Sequence, residues 1–249
     1  MTYTVGVDLA ASPVKTAVAV IEWRSGSARV TELVMPADDA RIHTMVAGAA
    51  RVGIDSPFGW PDDFVDFVVA QHRGELSAGS GLDDVSRRRP LAYRTTDLYV
   101  AALAGGRRPL SVSADNIAHV AFRCAGLLAD LGITDRASGW AIEAYPAAAL
   151  RRWGLQSRGY KTAANVSARE VMVEQLGQAA PWLDLNSHAD AMIADDDAFD
   201  AVITALIART ADLGLTPAPP DDVRDTAMRE GWIHVPDCEL DQLVSSAGP

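Results

Sequence analysis

The residues in this chain best suited to chemistry are carboxylates. Asp8 comes at the end of the short apolar run 4–9, and Asp55 closes the run 51–55. Glu143 lies inside Trp140-Ala141-Ile142-Glu143-Ala144-Tyr145, an otherwise apolar strand. Asp197 and Asp200 are three apart at the head of a long apolar stretch, a spacing that puts both on nearly one face of a first helical turn. A charged side chain in an apolar strand is costly unless it is paired or bound to a cation. Several such acids brought together repel one another, and a hard divalent ion such as Mg²⁺ or Mn²⁺ relieves that repulsion because it prefers oxygen ligands. Taken singly, each acid also has a structural use. Asp197 or Asp200 can cap a helix and complement its dipole, and Asp8 or Asp55 can open a turn. The set, rather than any member, points to metal chemistry.

Other chemistries find less support. The histidines, His43, His72, His119, His188 and His234, show no paired ligand spacing, which argues against zinc. Ser12 and Ser56 lack a nucleophile-elbow pattern. Cys124 and Cys238 match neither a metal nor a disulfide spacing, so a reduced, cytoplasmic protein is expected. Trp60, Trp140, Trp153, Trp182 and Trp232 read as packing residues rather than a platform for bases.

The acids need a scaffold, and the hydrophobic pattern supplies one. Runs at 4–9, 16–23 and 29–35 read as three consecutive strands, the last two joined as a hairpin across Ser25-Gly26-Ser27. A helix over 37–50 follows, then a strand over 51–55 stopped by Ser56-Pro57. Helices are predicted over 62–72, 97–103, 116–131, 167–176 and 198–213, with a strand over 139–145 and a short closing strand over 232–235. The segment 74–89 reads as a mobile loop, and the tail 237–249 as flexible.

With 249 residues, 49% of them hydrophobic, the chain is expected to be one globular domain over 1–249, with a helical insertion at roughly 61–137. No apolar run approaches the ~20 residues needed to cross a bilayer, so no membrane association is expected. The formal net charge of −11 argues against general nucleic-acid binding, which favours a basic surface. The charge is uneven: residues 73–161 hold thirteen basic and eight acidic side chains, including Arg87-Arg88-Arg89. Adjacent arginines are ordinarily solvated surface groups.

The segments Val5-Gly6-Val7-Asp8-Leu9-Ala10, Gly53-Ile54-Asp55-Ser56-Pro57-Phe58, Tyr93-Arg94-Thr95-Thr96-Asp97, Ile142-Glu143-Ala144-Tyr145-Pro146 and Asp197-Ala198-Phe199-Asp200-Ala201 occur in this order. Together with Glu230-Gly231-Trp232-Ile233-His234-Val235-Pro236 they resemble domain-of-unknown-function family 429, classed as predicted RNase H-like nucleases. The resemblance implies an α/β fold with an RNase H-like core. That core is a five-stranded mixed sheet whose first three strands are antiparallel, flanked by helices, with the helical insertion between the fourth and fifth strands. In that superfamily an acid on the first strand, one at the end of the fourth and one on the last core helix hold two metal ions. The resemblance carries these roles to Asp8, Asp55 and Asp200, with or without Asp197. Glu143 matches the family's acidic motif on the later strand and joins the catalytic set. Arg94 and Asp97 match its arginine-containing motif and are expected at the rim of the site. One departure is visible: Asp8-Leu9-Ala10 stands where many relatives read Asp-x-Gly, and a glycine there lets a substrate backbone approach closely.

The expected activity is phosphodiester hydrolysis with two Mg²⁺ or Mn²⁺ ions, on nucleic acid or another phosphodiester, with Arg94 or Lys161 neutralising phosphate charge. The alternative is a catalytically idle binding or scaffold protein on the same fold. A sugar kinase or actin-like ATPase is disfavoured, because Gly79-Ser80-Gly81 and Gly105-Gly106 are too sparse for glycine-rich phosphate loops.

Overall fold

A computed structural model describes residues 2–103 and 106–244. Among them are six strands: β1 (Thr2–Asp8), β2 (Ala17–Arg24), β3 (Ser27–Val34), β4 (Arg51–Asp55), β5 (Ala141–Glu143) and β6 (Leu183–Asp184). Ten α-helices accompany them among the described residues: α1 (Asp39–Val46), α2 (Asp62–Arg73), α3 (Val85–Ala92), α4 (Thr95–Ala102), α5 (Ala118–Asp130), α6 (Pro146–Arg152), α7 (Val166–Ala179), α8 (Ala189–Ala194), α9 (Asp196–Asp212) and α10 (Arg224–Glu230).

The strands form one mixed sheet in the order β5-β4-β1-β2-β3-β6. β1, β2 and β3 form an antiparallel meander, β2 pairing antiparallel with both β1 and β3. β4 pairs parallel with β1, and β5 parallel with β4. The sheet has one strand more than the five expected. β6 adds two residues parallel to β3, Leu183 beside Ala28 and Asp184 beside Arg29. So short a strand has no periodicity of its own to read. It exists because Ala28 donates its N–H to the Trp182 carbonyl at 2.9 Å and Trp23 packs on Trp182 with ring centroids 5.8 Å apart. The expected closing strand at 232–235 amounts to an isolated bridge at Ile233, whose N–H is taken by Thr96 Oγ1 at 2.8 Å. Part of the expected loop 74–89 is helical, since α3 starts at Val85 behind the Asp84 side chain, which accepts the Ser86 N–H.

Two compact units emerge. The first comprises the residues up to Ser56, Trp140–Ala218, and those from His234 onward; the second is Pro57–Gly139 with Pro219–Ile233. The first holds the whole sheet. Helix α9 is its centre: apolar on every side, buried along most of its length, and packed across β1, β2 and β4. Cys238, Leu240 and Leu243 join this core, so the described part of the tail is packed rather than frayed. Its apolar side chains gain by burial what ordering the backbone costs. Residues 245–249 of the expected flexible tail lie outside the described ones.

The second unit is helical and contains the segment read as an insertion, completed by α10 from later in the chain. Trp232 packs with Ala137, Ala227 and Tyr99 at one of its apolar clusters.

Two glycines set how closely α9 approaches the sheet. Gly6 of β1 and Gly53 of β4 are register partners and share a face with Asp8 and Asp55, two residues further along each strand. A Cβ on Gly6 would lie 2.1 Å from the Ala201 carbonyl oxygen, and one on Gly53 2.7 Å from that of Thr204. Glycine in a strand interior often marks such close backbone approach.

Candidate metal centre

The register of two parallel strands brings the first two acids together. Asp8 pairs with Asp55 across β1 and β4. Neighbouring strands are about 4.8 Å apart and register partners project to the same face, so the two carboxylates leave the sheet side by side at the strand ends. α9, pressed down over Gly6 and Gly53, delivers the third. The carboxylate oxygens of Asp8, Asp55 and Asp200 lie within 4.8 Å of one another. Asp8 and Asp200 are buried, and Asp55 is half-buried.

Two neighbours complete the cage. The Tyr160 hydroxyl donates to Asp200 Oδ1 at 2.8 Å. The Lys161 ammonium contacts Asp200 Oδ2. Tyr160 is itself buried, its ring 5.7 Å from that of Phe199.

Packing these groups in low dielectric disfavours their charged forms. Burial, and then the charges of Asp200 and Asp55, hold the Asp8 carboxyl well above the usual carboxylate range. Burial also dominates at Asp55, which is pushed up to about 7 with further upward pressure from Asp200 and Glu143 against the pull of Lys161. Asp200 is raised by burial, against the opposing effects of Lys161 and the Tyr160 hydroxyl. At Lys161 burial acts downward, but Asp200, Tyr160, Asp8 and Asp55 outweigh it and raise the ammonium above its ordinary value. Three hard oxygen donors that resist joint ionisation fit a divalent cation, whose charge removes the reason for that resistance.

The other acids occupy different places. Asp197 is outside the cluster of three, and Lys15 Nζ lies 3.5 Å from it. The cap of α9 is Asp195, whose side chain accepts the Asp197 N–H at 2.9 Å. Glu143 is the register partner of Ile54, one step short of Asp55, so strand alternation sends its side chain to the opposite face. Its charge still acts on Asp55.

Arg94 and Asp97 belong to the second unit and have 1% and 0% of their side chains exposed. They bind each other at 2.9 Å, Arg94 Nη1 donates to the Glu230 carbonyl at 3.1 Å, and Asp97 accepts the Arg94 N–H at the start of α4. The Glu230 carboxylate accepts the N–H groups of Asp62 and Thr95, both at 2.8 Å. These buried contacts organise the helix starts of that unit.

A family model described as a protein of unknown function, DUF429, matches residues 6–224. The chain belongs to the DUF429 family. The match encloses Asp8, Asp55, Glu143, Lys161, Asp197 and Asp200, while the motif at 230–236 lies beyond it. Neither a curated protein nor a solved structure matches the chain.

Sequence reasoning missed Tyr160 as a partner of the cluster and overlooked Arg169 of this DUF429 protein altogether. Arg169 stands in line with Met172, Val173 and Leu176, the buried stripe of α7. A lone arginine at helical spacing within an apolar stripe was the available signal.

Proposed function

We propose that this DUF429 protein is a metal-dependent nuclease with an RNase H-like core, hydrolysing phosphodiester bonds of nucleic acid or a related substrate. The observation that carries the reading is the convergence of Asp8, Asp55 and Asp200 within 4.8 Å at the ends of two parallel strands and the first turns of one helix. The antiparallel β1-β2-β3 meander with β4 and β5 added in parallel is the strand arrangement expected of such a core, extended here by β6.

Asp8, Asp55 and Asp200 would hold Mg²⁺ or Mn²⁺. Once bound, a divalent ion supplies Lewis-acid charge at the phosphate and a water acidic enough to attack near neutral pH. The protein's own contribution is placement. The strand register fixes the spacing of Asp8 and Asp55, and the burial of α9 fixes Asp200. Tyr160 and Lys161 orient the Asp200 carboxylate through its two oxygens, much as outer partners orient ligands in other metal sites. The Lys161 side chain, about half exposed, adds positive charge facing the three acids.

The test is a divalent-cation-dependent cleavage assay on single- and double-stranded DNA, RNA and hybrid substrates, with Asp8→Asn as the control. Cleavage by the native protein that disappears in the variant and in chelator is expected. Activity that survives Asp8→Asn would count against the site. Absence of both cleavage and Mn²⁺ affinity by calorimetry would favour the idle scaffold.

A further inference from the structure

We infer that Lys161 is a resident cation of the carboxylate cage, so that the site admits one divalent ion and not the pair expected from the fold. The inference rests on the metal-dependent reading above and concerns how many ions that site holds.

The Lys161 side chain is 54% exposed, yet its ammonium turns inward to a carboxylate that is fully buried. Lysines ordinarily lay the stem on apolar surface and keep the head in water. Here the backbone holds the opposite arrangement. Thr162, the next residue, has φ 81° and ψ 154°, a region nearly reserved for glycine and strained for a β-branched side chain. Arg169, with no exposed surface, holds that conformation in place. Its Nη1 donates to the carbonyls of Tyr160 and Thr162 at 2.6 and 2.8 Å. Its Nε and Nη2 donate to the carbonyls of Ile193 and Ala194 at 2.8 and 2.9 Å.

Ile193 and Ala194 lead into α9, which carries Asp200. One buried guanidinium therefore ties the lysine's loop to the end of the helix that bears its partner. Thr162 N–H donates to Asp196 Oδ1 at 3.1 Å, which ties the loop to the start of α9, and Asn165 Nδ2 donates to the Lys161 carbonyl at 2.6 Å within the loop itself. A lysine held at both flanks is a fixed charge rather than a wandering one.

Charge and donor supply then favour one ion. Asp8, Asp55 and Asp200 carry three negative charges when ionised, which the ammonium and one divalent ion balance. Asp200 already has Tyr160 on one oxygen and Lys161 on the other. The ion's main ligands are then the register pair Asp8 and Asp55, with Asp200 completing the seat through the lone pairs that Tyr160 and Lys161 leave. A second dication would have to share Asp200 Oδ2 with an ammonium of like charge.

The experiment is a Mn²⁺ titration of the full chain with free Mn²⁺ read by electron paramagnetic resonance, counted as the excess over an Asp8→Asn, Asp55→Asn double variant. One Mn²⁺ per chain is expected for the native protein, two for Lys161→Gln, and one again for Lys161→Arg, which restores the charge. Lys161→Arg keeps the ion pair and should keep the native thermal transition, whereas Lys161→Gln leaves the buried Asp200 carboxylate without its ammonium and should lower it, so Mn²⁺ is counted on protein shown to be folded by circular dichroism. Two Mn²⁺ in the native protein, or a single one persisting in Lys161→Gln, overturns the inference and leaves the metal site standing. No excess Mn²⁺ on the native protein sinks the metal site and this inference with it.

Discussion

Replacing Asp55 by Asn should flatten the pH dependence of stability in the metal-free protein. Asp55 titrates near 7 in the fold against 3.8 for a free aspartate, chiefly because it is buried beside other acids. A carboxyl raised by folding keeps its proton in the native state after the unfolded chain has lost it. The native state then binds more protons than the unfolded one, and stability falls as pH rises from about 4 through about 7. Each pH unit of displacement is worth about 1.4 kcal/mol, so this one carboxyl costs the apoprotein on the order of 4 kcal/mol at pH 8 relative to pH 4. For a chain of this size 1 kcal/mol moves the midpoint by about 2–4 °C. The native protein should therefore lose roughly 8–16 °C more than Asp55→Asn over that range. Removing the Asp55 charge also relieves Asp8, which adds to the difference in the same direction. Scanning calorimetry of both proteins in chelator at a series of pH values measures it, and the subtraction cancels groups the two share. Saturating Mn²⁺ should reverse the loss in the native protein at pH 8, by about 2.7 kcal/mol at a hundredfold excess over Kd, and do much less at pH 5, where protons compete for the ligands. Parallel pH profiles for the two proteins would refute the electrostatic account of the site.

Gly6→Ala should destabilise by upward of about 3 kcal/mol, since the new methyl meets backbone of α9 at 2.1 Å and overpacking of this kind costs 1–3 kcal/mol or more. Its denaturant midpoint should fall further than that of Gly53→Ala, where the approach is 2.7 Å. Tyr160→Phe removes a buried hydrogen bond to a charged acceptor and should cost about 1.5–3 kcal/mol in urea unfolding. Arg169→Met leaves four carbonyls without their donor and should cost about 3 kcal/mol or more, with Mn²⁺ affinity lost in whatever fraction stays folded.

Local pattern carried the first half of the fold. The β1-β2-β3-α1-β4 order was readable because alternation and turn residues act within a few positions. The apolar run that became α9 was legible for the same reason. Asp8 and Asp55 stood out as charges closing apolar strands, and Asp200 as a charge heading an apolar helix. β6 had no local signal, because two residues make no period and their pairing depends on Trp23 and Ala28 far upstream. Arg94 and Asp97 carried a motif, but only the three-dimensional structure put them in a buried pair inside the second unit.

The amino-acid sequence by itself determined the first four strands, which helix had to be buried, and which acids were out of place in apolar surroundings. These follow from the period of hydrophobicity and from the cost of desolvating charge. Tertiary structure alone decided that Gly6 and Gly53 share a face, that α9 descends onto them, and that Asp8, Asp55 and Asp200 meet. It also turned Lys161 inward through an arginine that bridges the lysine's loop and the end of α8, just ahead of α9. Those outcomes depend on register and on contacts between segments tens to hundreds of residues apart, and no local pattern encodes the distance between two such segments.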